Sequence, residues 1–274
     1  MKKTVSDEKR FIAIATVILV VISIVALFPM ILLVVASFTD ENELITNGYQ
    51  ILPKKLSLEA YTYMVKQAAT IVRSYLVTIG TTVVGTGLSV LLTTSIAYPM
   101  ARKTFKYRNA LSFFVYFTML FNGGLVPTYI NYTTVFHVKD TFFGLLVPSL
   151  MMSALNVLLM KSYFVTGVPD EILEAAYIDG ANEFQTMWKI AIPLSKPIIT
   201  TVAMFSGIAY WNDWNNGYIY LTKRTDLYSI QNLLNQMITD IQYLASGKVT
   251  GNIGAEVAKL PTTSIRMAIA FIAM

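Results

Sequence analysis

Residues 174–181 read Glu-Ala-Ala-Tyr-Ile-Asp-Gly-Ala, and residues 190–194 read Ile-Ala-Ile-Pro-Leu. This polar stretch lies between two long apolar runs of an otherwise hydrophobic chain. Irregular backbone is excluded from the lipid interior, so such a stretch has to lie in the aqueous phase beside the bilayer. It therefore predicts a membrane-spanning chain that another protein grips on one side.

The composition supports the membrane class. Of 274 residues, 55% are hydrophobic and 14% are charged, whereas soluble domains carry about 25% charged residues. The chain has no cysteine, which excludes disulfides and thiolate metal sites. Its net charge of +5 comes with short basic runs beside apolar segments, a pattern typical of membrane orientation and not of nucleic-acid binding.

Apolar run length predicts six transmembrane helices in an all-α fold, because about 20 residues cross the hydrocarbon core. The first run is too long for the apolar core of a cleaved signal peptide, so we predict a retained helix. The last run has only about half the length of a span, so we expect the sixth helix to continue past Met274. The runs are residues 11–38, 71–98, 110–129, 141–165, 197–221 and 262–274.

Basic residues predict the orientation. Residues 101–108 contain four basic residues and no acid, and the N-terminal tail contains four more. Basic residues in short loops favour the cytoplasm, which places the N-terminus, this loop and residues 166–196 on that side. We divide the chain into residues 1–70, with the tail, first span and an external segment, and residues 71–274, the core.

Residues 166–196 have the signals of a helix, a tight turn and a second helix. Pro169 suits a helix start, Gly180 a helix end, and Asn182 with Gln185 forms a capping-box pattern. Pro193 then ends the second helix. From the spacing alone, this hairpin either offers a surface to a partner or merely packs against the membrane.

The Glu-Ala-Ala pattern with its later glycine, Ile190 and Pro193-Leu194, resembles the EAA loop of permease subunits from bacterial ABC importers. The Asp-Gly-Ala form resembles the carbohydrate-uptake branch, the maltose-type, MalG-like permeases, and most closely those for oligosaccharides and complex glycans. The resemblance implies a MetI-like fold in a bacterial cell membrane. It also implies that the loop is a coupling helix seated on an ATPase, with these residues at the contact: Glu174, Ala175, Ala176, Asp179, Gly180, Ala181 and Pro193.

The resemblance further implies a second homologous permease subunit, two ATP-binding cassette subunits, an extracellular sugar-binding protein and a carbohydrate substrate, all beside membrane lipids. Gly80 and Gly85 have P-loop spacing, but Thr86-Gly87 follow where Lys and Ser or Thr are needed. We therefore expect no cofactor on this chain, no enzymatic activity of its own, and ATP with Mg²⁺ on the partner ATPase.

Polar residues within the spans are candidates for the substrate pathway, since such groups are costly in lipid. In the fifth run these are Trp211, Asn212, Asp213, Trp214 and Asn215. In the predicted helix Asn212, Asn215 and Asn216 share one face. The other face carries aromatic residues, namely Trp211, Trp214 and Tyr218. Aromatic faces and amides suit sugars, but an interfacial aromatic belt would show the same composition.

Two further asparagines are pathway candidates. Asn122 precedes Gly123, Gly124 and Pro127, which should break or kink the third helix, and Asn156 lies in the fourth run. Ordinary kink packing is the alternative. Two other functions stay open: a membrane enzyme acting on lipid-linked sugars, and an ion-driven carrier, although few acids, histidines or buried charges are available for either.

Overall fold

The computed structural model describes the backbone of residues 2–245 and 262–273, and the side chains of residues 8–240 and 263–272. Within these ranges the regular secondary structure is helical, apart from one isolated bridge between Thr39 and Leu56. The all-α prediction is confirmed there. The α-helices are α1 Lys2–Ser37, α2 Glu41–Asn47, α3 Glu59–Lys66, α4 Ala68–Ala101, α5 Arg108–Leu120, α6 Leu125–Ile130, α7 Phe143–Leu146, α8 Ala154–Gly167, α9 Asp170–Ile178, α10 Glu183–Thr186, α11 Ile192–Leu194, α12 Lys196–Trp211, α13 Asn215–Tyr220, α14 Ile230–Ala245 and α15 Thr262–Ala273.

The chain forms two compact units, one of Met1–Ala69 with Leu234–Met274 and one of Thr70–Leu233. In the first unit, α15 packs on α1, α2 and α3. The Glu41 carboxylate accepts hydrogen bonds from the Thr263 and Ser264 amides, both at 2.8 Å. A carboxylate suits these amides because the first N–H groups of a helix have no partner within it.

The second unit has its core where α4, α5, α8, α9 and α12 meet. Ala97 and Tyr98 come from α4, Val157 and Met160 from α8, and Val202 from α12. Leu173 of α9 joins the same cluster. The polar connection is therefore built on the apolar core of this unit.

Helices α4 and α12 approach closely through small residues. A side chain at Gly85 would collide with the Tyr210 ring. One turn further along, the hydroxyl oxygens of Ser89 and Ser206 lie 3.0 Å apart. Small and hydroxyl residues at such a contact are typical of helix packing in membranes.

Two helices in the described residues are long and apolar enough to cross a membrane, namely Glu8–Ser37 and Ala68–Ala101. The number rises to four if two bent helix pairs each form one span. Arg108–Leu120 and Leu125–Val135 bend by 117°, and Glu183–Leu194 and Lys196–Trp211 bend by 81°. The break predicted in the third run, before Pro127, is confirmed, with Gly124 at φ 84°.

The fourth and fifth runs do not form the continuous helices that we predicted. In the fourth run, α7 ends at Leu146 and α8 begins only at Ala154. Pro148 disfavours helix in the residue before it, and Ser149 takes a left-handed φ of 65°. In the fifth run, α12 ends at Trp211 and α13 begins at Asn215. In the sixth run, α15 has 12 residues, too few for a full span.

Candidate functional site

The connection between α8 and α12 is a helical hairpin, as the sequence predicts. Helix α9 follows Pro169, and Asp170 and Glu171 occupy its first turn. Carboxylates there stabilise the helix, because its N-terminal end carries partial positive charge. Leu173 is 2% exposed and fixes the inner face of α9 in the core.

The turn after α9 is a Schellman motif centred on Gly180. The Ala181 amide donates to the Ala176 carbonyl at 2.9 Å, and the Gly180 amide donates to the Tyr177 carbonyl at 3.0 Å. Gly180 has φ 84°, a left-handed conformation that glycine takes without a steric penalty. The predicted helix end is therefore confirmed, and glycine is the residue that this turn requires.

The second helix begins with the predicted capping box. The Asn182 side chain accepts from the Gln185 amide at 2.8 Å, and the Gln185 side chain accepts from the Asn182 amide at 3.1 Å. The chain then continues through a π-helical stretch, Met187–Ala191, into α11. Pro193 lies inside α11, and the 81° bend follows before α12.

The hairpin leaves a mixed surface in solvent. Glu174, Ala175, Asp179, Gly180 and Pro193 are exposed, whereas Ala181 is half-buried. Ala176 is only 7% exposed, so its side chain packs inward and its carbonyl serves the turn.

Apolar side chains lie among these polar residues. Ile178 is 87% exposed and Phe184 is 68% exposed. Trp188 is also exposed, and its ring centroid lies 6.0 Å from that of Phe184. We call Glu174, Ile178, Asp179, Phe184 and Trp188 the hairpin surface. Exposed apolar groups rimmed by charges are typical of a protein contact.

Arg102 and Lys103, just after α4, both lie beside the start of α9. A guanidinium nitrogen of Arg102 lies 3.5 Å from Asp170, and Lys103 Nζ lies 2.9 Å from it. The hydrogen bond and charge of Lys103, with the charge of Arg102, hold the pKa of Asp170 below its usual value. The same contact raises the pKa of Lys103.

Arg102 also contacts the far end of α9. Its guanidinium donates to the Tyr177 hydroxyl at 3.3 Å and lies 5.8 Å from the centre of that ring. The Arg102 side chain is 11% exposed, whereas that of Lys103 is 77% exposed. Sequence reasoning used Arg102 only as a marker of orientation and missed this contact, which depends on tertiary packing.

A cavity of about 480 Å³ separates the end of α4 from α10. Pro99 and Phe105 line one side, and Phe184 and Met187 line the other. The Tyr98 hydroxyl donates across this region to Glu183 at 3.3 Å. The part of the second helix around Phe184 therefore borders a cavity, whereas Ala191 further along lies in the core.

The break in the fifth run is organised by Asp213. Its carboxylate accepts from the Asn215 amide at 3.2 Å and from the Asn216 amide at 3.3 Å, which starts α13. The Asn216 side chain donates to the Pro148 carbonyl at 2.9 Å and is 3% exposed. The prediction that Asn212, Asn215 and Asn216 share one helix face is wrong, because the helix stops between them.

The pathway candidates of this run remain partly accessible. Asn212, Trp214 and Asn215 are exposed, whereas Trp211 and Asp213 are half-buried. The side-chain amide nitrogen of Asn212 donates to the Ile208 carbonyl at 2.9 Å. The exposed amide of Asn212 and the exposed indole of Trp214, two residues apart, form a surface that can contact a sugar hydroxyl and a sugar ring face.

The other two candidates lie on separate elements. Asn122 is exposed in the break of the third run and accepts from the Gly124 amide at 2.9 Å, so it shapes that turn. Asn156 lies in α8 and is 7% exposed. Asn156 therefore belongs to the packed part of the second unit.

Asp140 is a residue that sequence reasoning passed over. Its carboxylate accepts from the amides of Thr222 at 2.7 Å, Lys223 at 2.8 Å and Arg224 at 3.3 Å. These hydrogen bonds hold the pKa of Asp140 well below its usual range. Its own φ of 55° is the left-handed conformation that aspartate tolerates better than most residues. Asp140 therefore clamps the segment after α13.

The site is a helical hairpin with a hydrogen-bonded turn, built on the apolar core of the second unit. The family model described as "Binding-protein-dependent transport system inner membrane component" matches residues 8–274. The chain belongs to this family. It is a membrane transport subunit, and transport by its family depends on a binding protein.

The permease is similar to several known bacterial proteins. It is 34% identical to "Protein LplC" of Bacillus subtilis over 91% of this chain and 81% of that one. It is 33% identical to the "Polygalacturonan/rhamnogalacturonan transport system permease protein YtcP" of the same organism, over 80% and 75%. A solved bacterial ABC transporter involved in the import of the acidic polysaccharide alginate matches with TM-score 0.80 and 27% identity, over 97% of the permease and 92% of that chain.

Proposed function

We propose that the permease forms part of an ABC importer that carries an oligosaccharide into the cell with ATP hydrolysed by separate subunits. The observation that carries this proposal is the hairpin surface. It combines exposed apolar groups with Glu174 and Asp179 on a turn that Gly180 fixes. A preformed surface of this kind can receive force from an ATPase without first having to fold.

The proposed complex contains this chain, a second homologous permease subunit, two ATP-binding cassette subunits and an extracellular sugar-binding protein. Residues 71–274 form its permease core, residues 166–196 meet an ATPase, and the N-terminus is cytoplasmic. Glu174, Ala175, Asp179 and Gly180 lie in the contact. Ala176 and Ala181 support the contact through the turn, and Pro193 supports it through α11.

The substrate class is proposed from two supports. One relative is named for polygalacturonan/rhamnogalacturonan transport, and the solved transporter is involved in the import of alginate. The exposed Trp214 and Asn215, beside Asn212, supply ring stacking and hydrogen bonds of the kind that sugars need. We infer that the pathway passes this break in the fifth run.

Uptake by the assembled importer tests the proposal. The complex and its binding protein are placed in proteoliposomes with internal ATP and offered labelled trigalacturonate, an alginate trisaccharide or maltotriose. We expect ATP-dependent uptake of at least one of these sugars, and an ATPase that co-purifies with the permease. A purified permease that carries sugar with no ATPase bound would overturn the proposal.

A further inference from the structure

The contact between Arg102 and α9 joins the hairpin to the longest helix of the second unit. Arg102 follows directly after α4, and its amide donates to the Pro99 carbonyl at 3.2 Å. That bond continues the last turn of α4, so the Arg102 backbone moves with this 34-residue helix. A force on the Arg102 side chain is therefore transmitted to α4.

The Arg102 side chain contacts α9 at two residues. Asp170 is the first residue of α9 and Tyr177 lies in its last turn. Positions seven apart fall on the same face of a helix, about 10 Å apart along its axis. Rotation of α9 about its own axis would break both contacts, and tilting it would break one of them. The guanidinium therefore fixes both the rotation and the tilt of α9 relative to α4.

The second helix of the hairpin meets the core differently, through apolar side chains such as Met187 and Ala191. The cavity beside Phe184 separates α10 from the end of α4, and the Tyr98–Glu183 hydrogen bond reaches an exposed carboxylate. Arg102 is therefore a buried polar link by which force on α9 can pass to α4.

The position of Arg102 is not the one that stability alone would favour. Its Nε atom is buried and has no hydrogen-bond partner within the described residues. A buried donor without a partner is destabilising, and buried ionic groups often serve conformational specificity. A fork-shaped cation that bonds a carboxylate and stacks on a ring also has geometry that lysine cannot reproduce.

We infer that Arg102 is a positioning residue for transport, the link through which movement of α9 turns α4. This inference rests on the proposed function, because it concerns how the energy of ATP hydrolysis reaches the spans. Without the link, the hairpin would follow the ATPase while α4 stayed behind. ATP would then be hydrolysed with little solute carried.

The test compares Arg102→Met with Lys103→Met in the purified importer, counting only complexes that retain the ATPase. Both variants lose one positive charge next to Asp170, but only the first loses the buried link. Solute carried per ATP hydrolysed is measured in proteoliposomes with labelled trigalacturonate, alginate trisaccharide and maltotriose. For Arg102→Met we expect a drop of about fivefold or more, the lower end of typical coupling between sites. For Lys103→Met we expect a ratio within about twofold of the natural chain, as for an exposed ion pair.

Two more variants separate positioning from folding. Arg102→Lys keeps the positive charge but not the forked guanidinium, so the solute carried per ATP should also fall. If Arg102→Met does not assemble, Arg102→Lys serves as the test variant. Tyr177→Phe removes the hydroxyl, and its effect should not add to that of Arg102→Met. Equal ratios for the Arg102 variants and Lys103→Met would overturn the inference. A natural complex that hydrolyses ATP but carries none of the three sugars would instead overturn the proposed function.

Discussion

Single residues that control backbone conformation are the part of this protein that sequence predicts best. Gly180 and the Asn182–Gln185 capping box act through bonds to residues at most five positions away. Their effect can therefore be predicted from the local sequence. Asp140 was passed over because the amides that it binds lie more than 80 positions along the chain.

Replacing Gly180 with valine should uncouple the importer. A side chain at φ 84° costs about 1–2 kcal/mol, and a β-branched one meets further resistance, so the turn should distort. We expect uptake to fall while ATP hydrolysis continues and the permease still inserts, which uptake and ATPase assays in proteoliposomes would measure.

The matched control is Gly80→Val. Gly80 lies in α4 without a left-handed φ, and an added Cβ meets no atom within 4 Å. This variant should transport like the natural protein. Normal uptake by Gly180→Val would show that the turn is not needed for coupling.

Asp140→Asn should loosen the segment after α13. The low pKa of Asp140 means that the clamp is present above the ordinary carboxyl pKa, about 4, and weakens as the pH falls below it. Hydrogen exchange at neutral pH should be several-fold faster at the Thr222 and Lys223 amides in the variant.

Asp226→Asn is the comparison for the clamp, since Asp226 pairs with Arg224 inside the same segment. It should leave the Thr222 and Lys223 amides protected. Equal protection of these amides in Asp140→Asn and the natural protein would contradict the assignment.

At the scale of elements, sequence predicted where helices exist better than where they stop. The third break was predicted because two glycines and Pro127 mark it. The breaks in the fourth and fifth runs were not predicted, because Pro148 lies in an apolar run and the polar residues Asn212 and Asp213 were assigned to a helix. Their ends are set by contacts between elements: the Asn216 side chain binds the Pro148 carbonyl, so one break holds the other.

Asn216 and Asn215 should therefore respond differently to alanine. Loss of the buried Asn216 bond should lower stability by about 1–3 kcal/mol, because the Pro148 carbonyl is left without that partner. Asn215→Ala should unfold like the natural protein yet reduce sugar uptake, if its exposed amide touches the sugar. Thermal unfolding in detergent, together with uptake, gives both readings.

A large loss of stability in Asn215→Ala, with none in Asn216→Ala, would reverse these roles. Unchanged uptake in a stable Asn215→Ala variant would remove Asn215 from the proposed pathway.

At the scale of the whole molecule, the family and the membrane class were readable from composition and from one 20-residue motif region. The arrangement of spans was not, since length and hydropathy cannot distinguish a straight helix from two bent ones. The membrane orientation is predicted from the basic residues and can be measured directly.

The cysteine-free chain makes that measurement simple. Leu52→Cys and Ile178→Cys place single thiols at residues that are 85% and 87% exposed. A membrane-impermeant maleimide added to spheroplasts should label the first and spare the second until the cells are lysed. Labelling of Ile178→Cys before lysis would place the hairpin outside the cell and contradict the proposed coupling.

The broken helices have a consequence for biogenesis. Helices α5 and α8 have 13 and 14 residues, about 20 Å at 1.5 Å per residue, and neither reaches across an apolar layer of about 30 Å. A translocon that sorts segments one at a time would release such short pieces poorly into lipid. We expect them to leave the translocon together with the long helix α4, because their buried residues share a core with it.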